Sequence, residues 1–230
     1  MKNSIIGNLY LYANKISIFY ELIIILFVSF GYLILNNVLF VLNIVKEFTI
    51  SNDHIYFQIR YEIFVLLTLG IFLYLRGWNF KSLGLKPCQH DIFIGLLIYL
   101  CFCVLTIFIW SIGILVSPGF GASKYILFQV NLNIYLVILI SILNPFFEEI
   151  LVCSYILSWN RGATNKYAMI FLSVCIRILY HLYQGPFILV QIIPFGIIAG
   201  VWFTRTRRLW PLLIAHFLWD IIGLLPHTGK

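Results

Sequence analysis

The sequence predicts an all-α fold: a polytopic transmembrane helical bundle of about seven spans, forming one domain over residues 1–230. Three observations predict it. The 230-residue chain is 62% hydrophobic and only 10% charged, whereas a soluble domain carries about 25% charged residues. Its apolar runs are long enough to cross a bilayer core of roughly 30 Å. Its Lys and Arg residues divide unevenly between the two sets of loops.

The apolar runs place spans near 18–45, 57–75, 92–117, 130–159, 166–183, 186–204 and 209–226. The first run is too long for a signal-peptide core and no small-residue cleavage site follows it, so it reads as an uncleaved span that Asn36-Asn37 interrupts. Turn-forming stretches separate the runs: SND at 51–53, RGWNFKSLGLKP at 76–87, SPGFGASK at 117–124, NRGATNK at 160–166, QGP at 184–186 and RTRR at 205–208. No repeat, low-complexity tract or long linker divides the chain. Four of the five cysteines (Cys101, Cys103, Cys153 and Cys175) lie in apolar runs, with no CxxC spacing, and read as small buried hydrophobes.

Seven spans put the two ends of the chain on opposite sides. One side then holds ten basic residues: Lys2, Lys15, Arg76, Lys81, Lys86, Arg161, Lys166, Arg205, Arg207 and Arg208. The other holds four: Lys46, Arg60, Lys124 and Lys230. The positive-inside rule predicts a cytoplasmic N-terminus. The net charge of +7 therefore sets topology and does not indicate a nucleic-acid partner. The partners to expect are membrane lipid and a membrane-bound peptide or protein.

Most acidic residues (Glu21, Glu47, Asp53, Glu62 and Asp91) fall at span ends or in loops. Glu21 and Glu62 read as interfacial. Six ionisable residues lie inside apolar runs, all in the last four spans: Glu148, Glu149, Arg177, His181, His216 and Asp220. A carboxylate at membrane depth costs at least ~2.5–3.5 kcal/mol, so each is a functional candidate. Arg177 and His181 are spaced i, i+4, as are His216 and Asp220, so each pair shares a helix face. Glu148 and Glu149 are about 100° apart on a helix. One can face a reaction centre while the other faces a neighbouring helix, which predicts two roles. At about 1.5 Å per residue the carboxylates and imidazoles reach roughly one buried level, with tilt absorbing the spread. A buried carboxylate beside an imidazole can deprotonate water. A second His with an Asp can stabilise an oxyanion. Intramembrane peptide hydrolysis needs these parts. The competing class is a transporter or proton-coupled channel, whose pathways also use buried Glu, Asp, His and Arg. The absence of a repeat and the crowding of polar residues into one half favour the enzyme. Two His and several carboxylates also leave a divalent ion such as zinc open, although there is no HExxH.

Three motifs in order, EEILVC at 148–153, RILYH at 177–181 and HFLWD at 216–220, resemble those of the CPBP family of intramembrane proteases. This family comprises the CAAX proteases and bacteriocin-processing (Abi-type) enzymes, including type II CAAX prenyl endopeptidases. The flanking words NPFFEE, YHLYQGP and LWPLLIAH resemble it too, and the likeness covers roughly residues 130–226. The resemblance implies a multi-span helical fold. It also implies that Glu148 activates water with His181, that His216 and Asp220 stabilise the oxyanion, and that Glu149 supports them. It implies no required cofactor, although such enzymes were long classed as metalloproteases. With the short loops, it points to a bacterial plasma membrane. Two positions depart from the pattern: Cys153 stands where the first motif has Arg, and Arg177 where the second often has Phe. The departures read as linked, Arg177 supplying the charge that Cys153 cannot. They also open a third reading, a catalytically silent immunity or scaffold member.

Overall fold

The computed structural model describes residues 10, 12–42, 49–116, 127–128, 131–159, 165–185 and 189–228. The predicted turn at 117–124, most of that at 160–166, Pro186 of that at 184–186, and the charges at Lys2, Lys46, Glu47, Lys124, Arg161 and Lys230 lie outside the described residues. Seven long helices run through the described chain: α1 Ile18–Val41, α2 Asn52–Leu75, α3 Asp91–Val116, α4 Ile134–Ser158, α5 Lys166–Tyr180, α6 Leu189–Thr206 and α7 Trp210–Leu224. Two-residue strands, Thr49–Ile50 and Leu127–Phe128, pair in parallel beside them.

Polar residues set the helix starts. Ser17, Ser51, Asn133 and Asn165 each cap a helix by accepting from a backbone N–H two or three residues further on. The Ser51 cap starts α2 at Asn52, five residues before the apolar run begins. Glu62 therefore lies well inside the helix and is 1% exposed. This corrects its interfacial reading. Glu21 is buried as well, ion-paired with Arg76 and accepting from Trp78 Nε1 and Tyr155 Oη, each at 3.1 Å.

Six of the helices are long and apolar enough to cross a membrane, α7 by continuing through a 3-10 turn to His227, and the protein is an integral membrane protein. The exception is α5. Its 15 residues span about 22 Å, short of a ~30 Å core. It stops at Tyr180, three residues before the predicted end, and His181 becomes its C-cap. The chain then turns through Gly185 at φ +80°, a left-handed backbone that favours glycine.

The middle of the bundle is α4, with 56% of its span buried against 22–28% for the other five. Its Val152, Tyr155 and Ile156 pack with α1 and α2, and its Cys153 and Leu157 pack with α3, α6 and α7. Close approach elsewhere depends on glycine. A Cβ on Gly196 would meet Val174 Cγ2 at 2.9 Å, and one on Gly200 would meet Ile170 Cγ1 at 2.9 Å. This small-xxx-small face draws α6 onto α5. Gly95 does the same for α3 on α7, against Ile214 Cβ at 2.7 Å.

Candidate active site

The site is built where α4, α5 and α7 converge, and α4 changes winding there. Pro145 lies inside the helix and has no N–H to donate to the preceding turn. From Glu149 to Tyr155 the backbone winds as a π-helix. Such widened turns are rare and often mark functional sites. Glu148 closes the α-helical part and Glu149 opens the π segment, so the two adjacent carboxylates separate.

Glu149 is fully buried. Its Oε2 takes Arg177 Nη2 at 2.6 Å and its Oε1 takes His216 Nδ1 at 2.8 Å. Glu148 faces a cavity. Its Oε2 takes the Tyr180 hydroxyl at 2.6 Å and lies 3.4 Å from Arg177 Nη1. Its Oε1 stands 4.0 Å from His181 Nε2. Arg177 therefore binds both glutamates and is itself 1% exposed, with Phe195 5.4 Å from its guanidinium carbon. The position predicted to supply the missing motif charge holds a cation on both carboxylates. Cys153, buried in the π segment, donates weakly to Ala199 O at 3.8 Å.

Hydrogen-bond partners define the imidazoles. His181 Nδ1 lies 2.9 Å from Arg177 O. A carbonyl only accepts, so Nδ1 carries the hydrogen and the Nε2 lone pair faces Glu148. His216 Nδ1 faces Glu149 and its Nε2 lies 3.5 Å from Asp220 Oδ1. A ring with a carboxylate at each nitrogen is served by two N–H groups, which describes an imidazolium. Asp220 is fixed from the other side by Asn144 Nδ2, 2.9 Å from its Oδ2.

Glu148, Arg177, His181, His216 and Asp220 line one cavity, with Phe102, Gln184, Gln191, Ile192, Phe195 and Trp219. Its empty volume is about 460 Å³, including space open to the outside. Five of the six predicted site residues line it, and Glu149 lies behind them. Three participants escaped the sequence reading. Asn144 is polar and four residues before Glu148 on the same helix. Tyr180 adjoins His181 but is of a residue type common in membrane helices for packing alone. Asn37, in the interruption of the first run, donates to Tyr180 O at 2.6 Å and holds the end of α5.

A metal fits this donor set poorly. Atoms of Glu148, Glu149 and His216 lie within 4.8 Å of one another. However, both Glu149 oxygens and one Glu148 oxygen already accept from Arg177, His216 or Tyr180. A divalent ion would have to displace those donors beside a buried guanidinium.

The fold and site define a polytopic membrane protein whose buried carboxylates and imidazoles converge on a cavity. A family model described as Type II CAAX prenyl endopeptidase Rce1-like matches residues 130–222. Over this segment the chain is similar to the CAAX-protease family of membrane endopeptidases. No curated protein and no solved structure matches the chain.

Proposed function

We propose that the protein is an intramembrane endopeptidase that hydrolyses peptide bonds of membrane-embedded or lipidated substrates with a water activated by Glu148 and His181. The observation that carries this reading is the 4.0 Å gap between Glu148 Oε1 and His181 Nε2 at the cavity wall. A water can hydrogen-bond both atoms across it at about 2.8 Å each. Both groups accept, so the water's lone pair is left facing the cavity.

In the reaction the water oxygen bonds to the scissile carbonyl carbon and its proton passes to Glu148. The carbonyl oxygen becomes an oxyanion and takes a hydrogen bond from His216 Nε2–H, which Asp220 orients. Collapse breaks the C–N bond, and the leaving amine takes the proton from Glu148. Arg177 and Tyr180 hold Glu148, and Glu149 holds the His216 ring. The chemistry needs no metal, and chelation is expected to leave turnover unchanged. The basic loops support a cytoplasmic N-terminus, and the short loops a bacterial plasma membrane.

The test is cleavage of membrane-anchored peptides by the detergent-purified chain, with Glu148→Gln and His181→Ala alongside. Cleavage by wild type and at least a hundredfold loss in both variants is the expected result. Equal behaviour of all three sinks the reading.

A further inference from the structure

We infer that Gln191, on α6, is a substrate-binding residue that holds the main chain of an uncharged peptide segment next to the scissile bond. The inference rests on the hydrolase reading above and adds the group that grips the substrate.

Gln191 is fifteen residues before Thr206, the last residue of α6, so it lies about 22 Å from the end that carries Arg205, Arg207 and Arg208. An amide at that depth costs free energy unless its hydrogen bonds are made. Other polar side chains inside the bundle are engaged within the protein. Asn37 donates to Tyr180 O, Asn144 to Asp220, and Ser173 to Val152 O. Gln191 is half-buried, and among the described residues no group hydrogen-bonds its amide. Thr106 Oγ1, Ser141 Oγ and Glu62 Oε2 also lack partners, but none of the three lines the cavity. Gln191 does, together with Glu148, His181, His216 and Asp220.

Charge decides what the cavity accepts. Glu148, Glu149 and Asp220 face Arg177 and the His216 ring, and both of these cations are already paired. An acidic side chain or a terminal carboxylate of a substrate would meet carboxylates and no free cation. What the wall still offers is neutral. Gln191 brings a carbonyl and an NH2 group, and Trp219 an indole N–H. Gln184 brings its Oε1, since its Nε2 is engaged by Tyr183 Oη at 2.8 Å. Phe102, Ile192 and Phe195 supply the apolar remainder. A primary amide matches a peptide unit, which presents one N–H and one C=O. Gln191 Oε1 accepts from a substrate N–H, and its Nε2 donates to a substrate C=O. This pair of bonds sets the register of the substrate without touching the reacting atoms. Such binding is the same in the ground state and the transition state, so it acts on KM and leaves kcat.

The experiment uses full-length Gln191→Met, which keeps the side-chain length and removes the amide. On a membrane-anchored peptide that wild type cleaves, KM is expected to rise about tenfold with kcat within about twofold. Esters then locate the contact: one main-chain amide at a time, the scissile bond excepted, is replaced by an ester, which lacks the N–H. One ester is expected to raise KM for wild type and to add nothing in Gln191→Met. Unchanged KM in Gln191→Met, or losses that add for every ester, overturn the contact and leave the hydrolase reading intact. Binding is read separately, by fluorescence anisotropy of the dye-labelled peptides on Glu148→Gln, with and without Gln191→Met. Affinity is expected to fall about tenfold. If wild type cleaves no peptide, the hydrolase reading fails by itself and anisotropy decides. Equal affinity, or no binding by either chain, then overturns the role of Gln191. If Gln191→Met does not fold, Gln191→Asn, which draws the amide back by one methylene, is judged by the same readouts.

Discussion

Arg177 is the residue on which the others depend. It is among the largest fully buried side chains, and its two terminal nitrogens serve two different carboxylates. Removing it leaves Glu148 without a hydrogen-bonded cation and Glu149 with His216 alone. Arg177→Ala is expected to cost about 3–5 kcal/mol, measurable as a lower denaturant midpoint in detergent. Lys is no substitute, because one ammonium cannot reproduce the planar fork. Cys153 tests the exchange of position directly. It lies four residues after Glu149 and is fully buried. Cys153→Arg alone is expected to destabilise, because Arg177 already fills the need. In the Arg177→Ala background it is expected to recover part of the loss, a double-mutant coupling of about 1–3 kcal/mol. Additive losses would reject the exchange. Tyr180→Phe removes one donor from Glu148 and is expected to lower kcat about tenfold with the fold kept. The neighbours of Glu148 and Glu149 were legible because charge inside an apolar run is conspicuous. Tyr180 was not, because tyrosine is common in membrane helices for packing alone. Glu62 was misplaced for another reason: the polar start of α2 hid the helix that buries it.

At the scale of elements, the site depends on how α4 winds and how closely α6 approaches α5. Helix existence was readable from the apolar runs, but neither of these features was. A π segment has no apolar periodicity that separates it from an α-helix over seven residues. The close approach was present as GIIAG at 196–200, a pattern whose meaning depends on which helix faces it. Gly196 also lies against the site, since an added Cβ would meet Arg177 Cδ at 3.4 Å. Gly196→Ala is therefore expected to push α6 away, cost about 1–3 kcal/mol and reduce cleavage more than stability alone explains. Gly223 is the control. Nothing lies within 4 Å of a Cβ added there, and alanine favours a helix interior by up to about 1 kcal/mol. Gly223→Ala is expected to leave cleavage unchanged and thermal stability equal or higher. Equal effects at both glycines would mean that the α5–α6 approach does not position Arg177.

Across the whole molecule, one end gathers the start of α1, the end of α2, the starts of α3 and α7, and the ends of α4 and α6. The Glu21–Arg76 and Asp91–Arg208 ion pairs join four of these ends, and Arg207 Nη1 donates to Ser158 Oγ at 2.7 Å. The opposite end joins the starts of α2 and α4, through Asn133 N and Asn52 Oδ1 at 2.7 Å, and the stretch after α7, through Leu132 N and His227 O at 2.9 Å. The short α5 enters from the first end, and α6 returns to it, so the turn carrying His181 lies deep in the bundle. That first end also carries the described basic residues of the richer set, which the positive-inside rule assigns to the cytoplasm. Cys88 is a natural reporter of this orientation. It is exposed in the loop between α2 and α3, at the same end as Arg76 and Arg208. A membrane-impermeant maleimide is expected to label Cys88 in inside-out vesicles and to leave intact cells unlabelled. Cys101 and Cys103 lie within α3 and should stay unlabelled in both, because maleimides need a hydrated thiolate. Labelling of Cys88 from outside the cell would invert the bundle, and with it the side from which a peptide reaches Glu148.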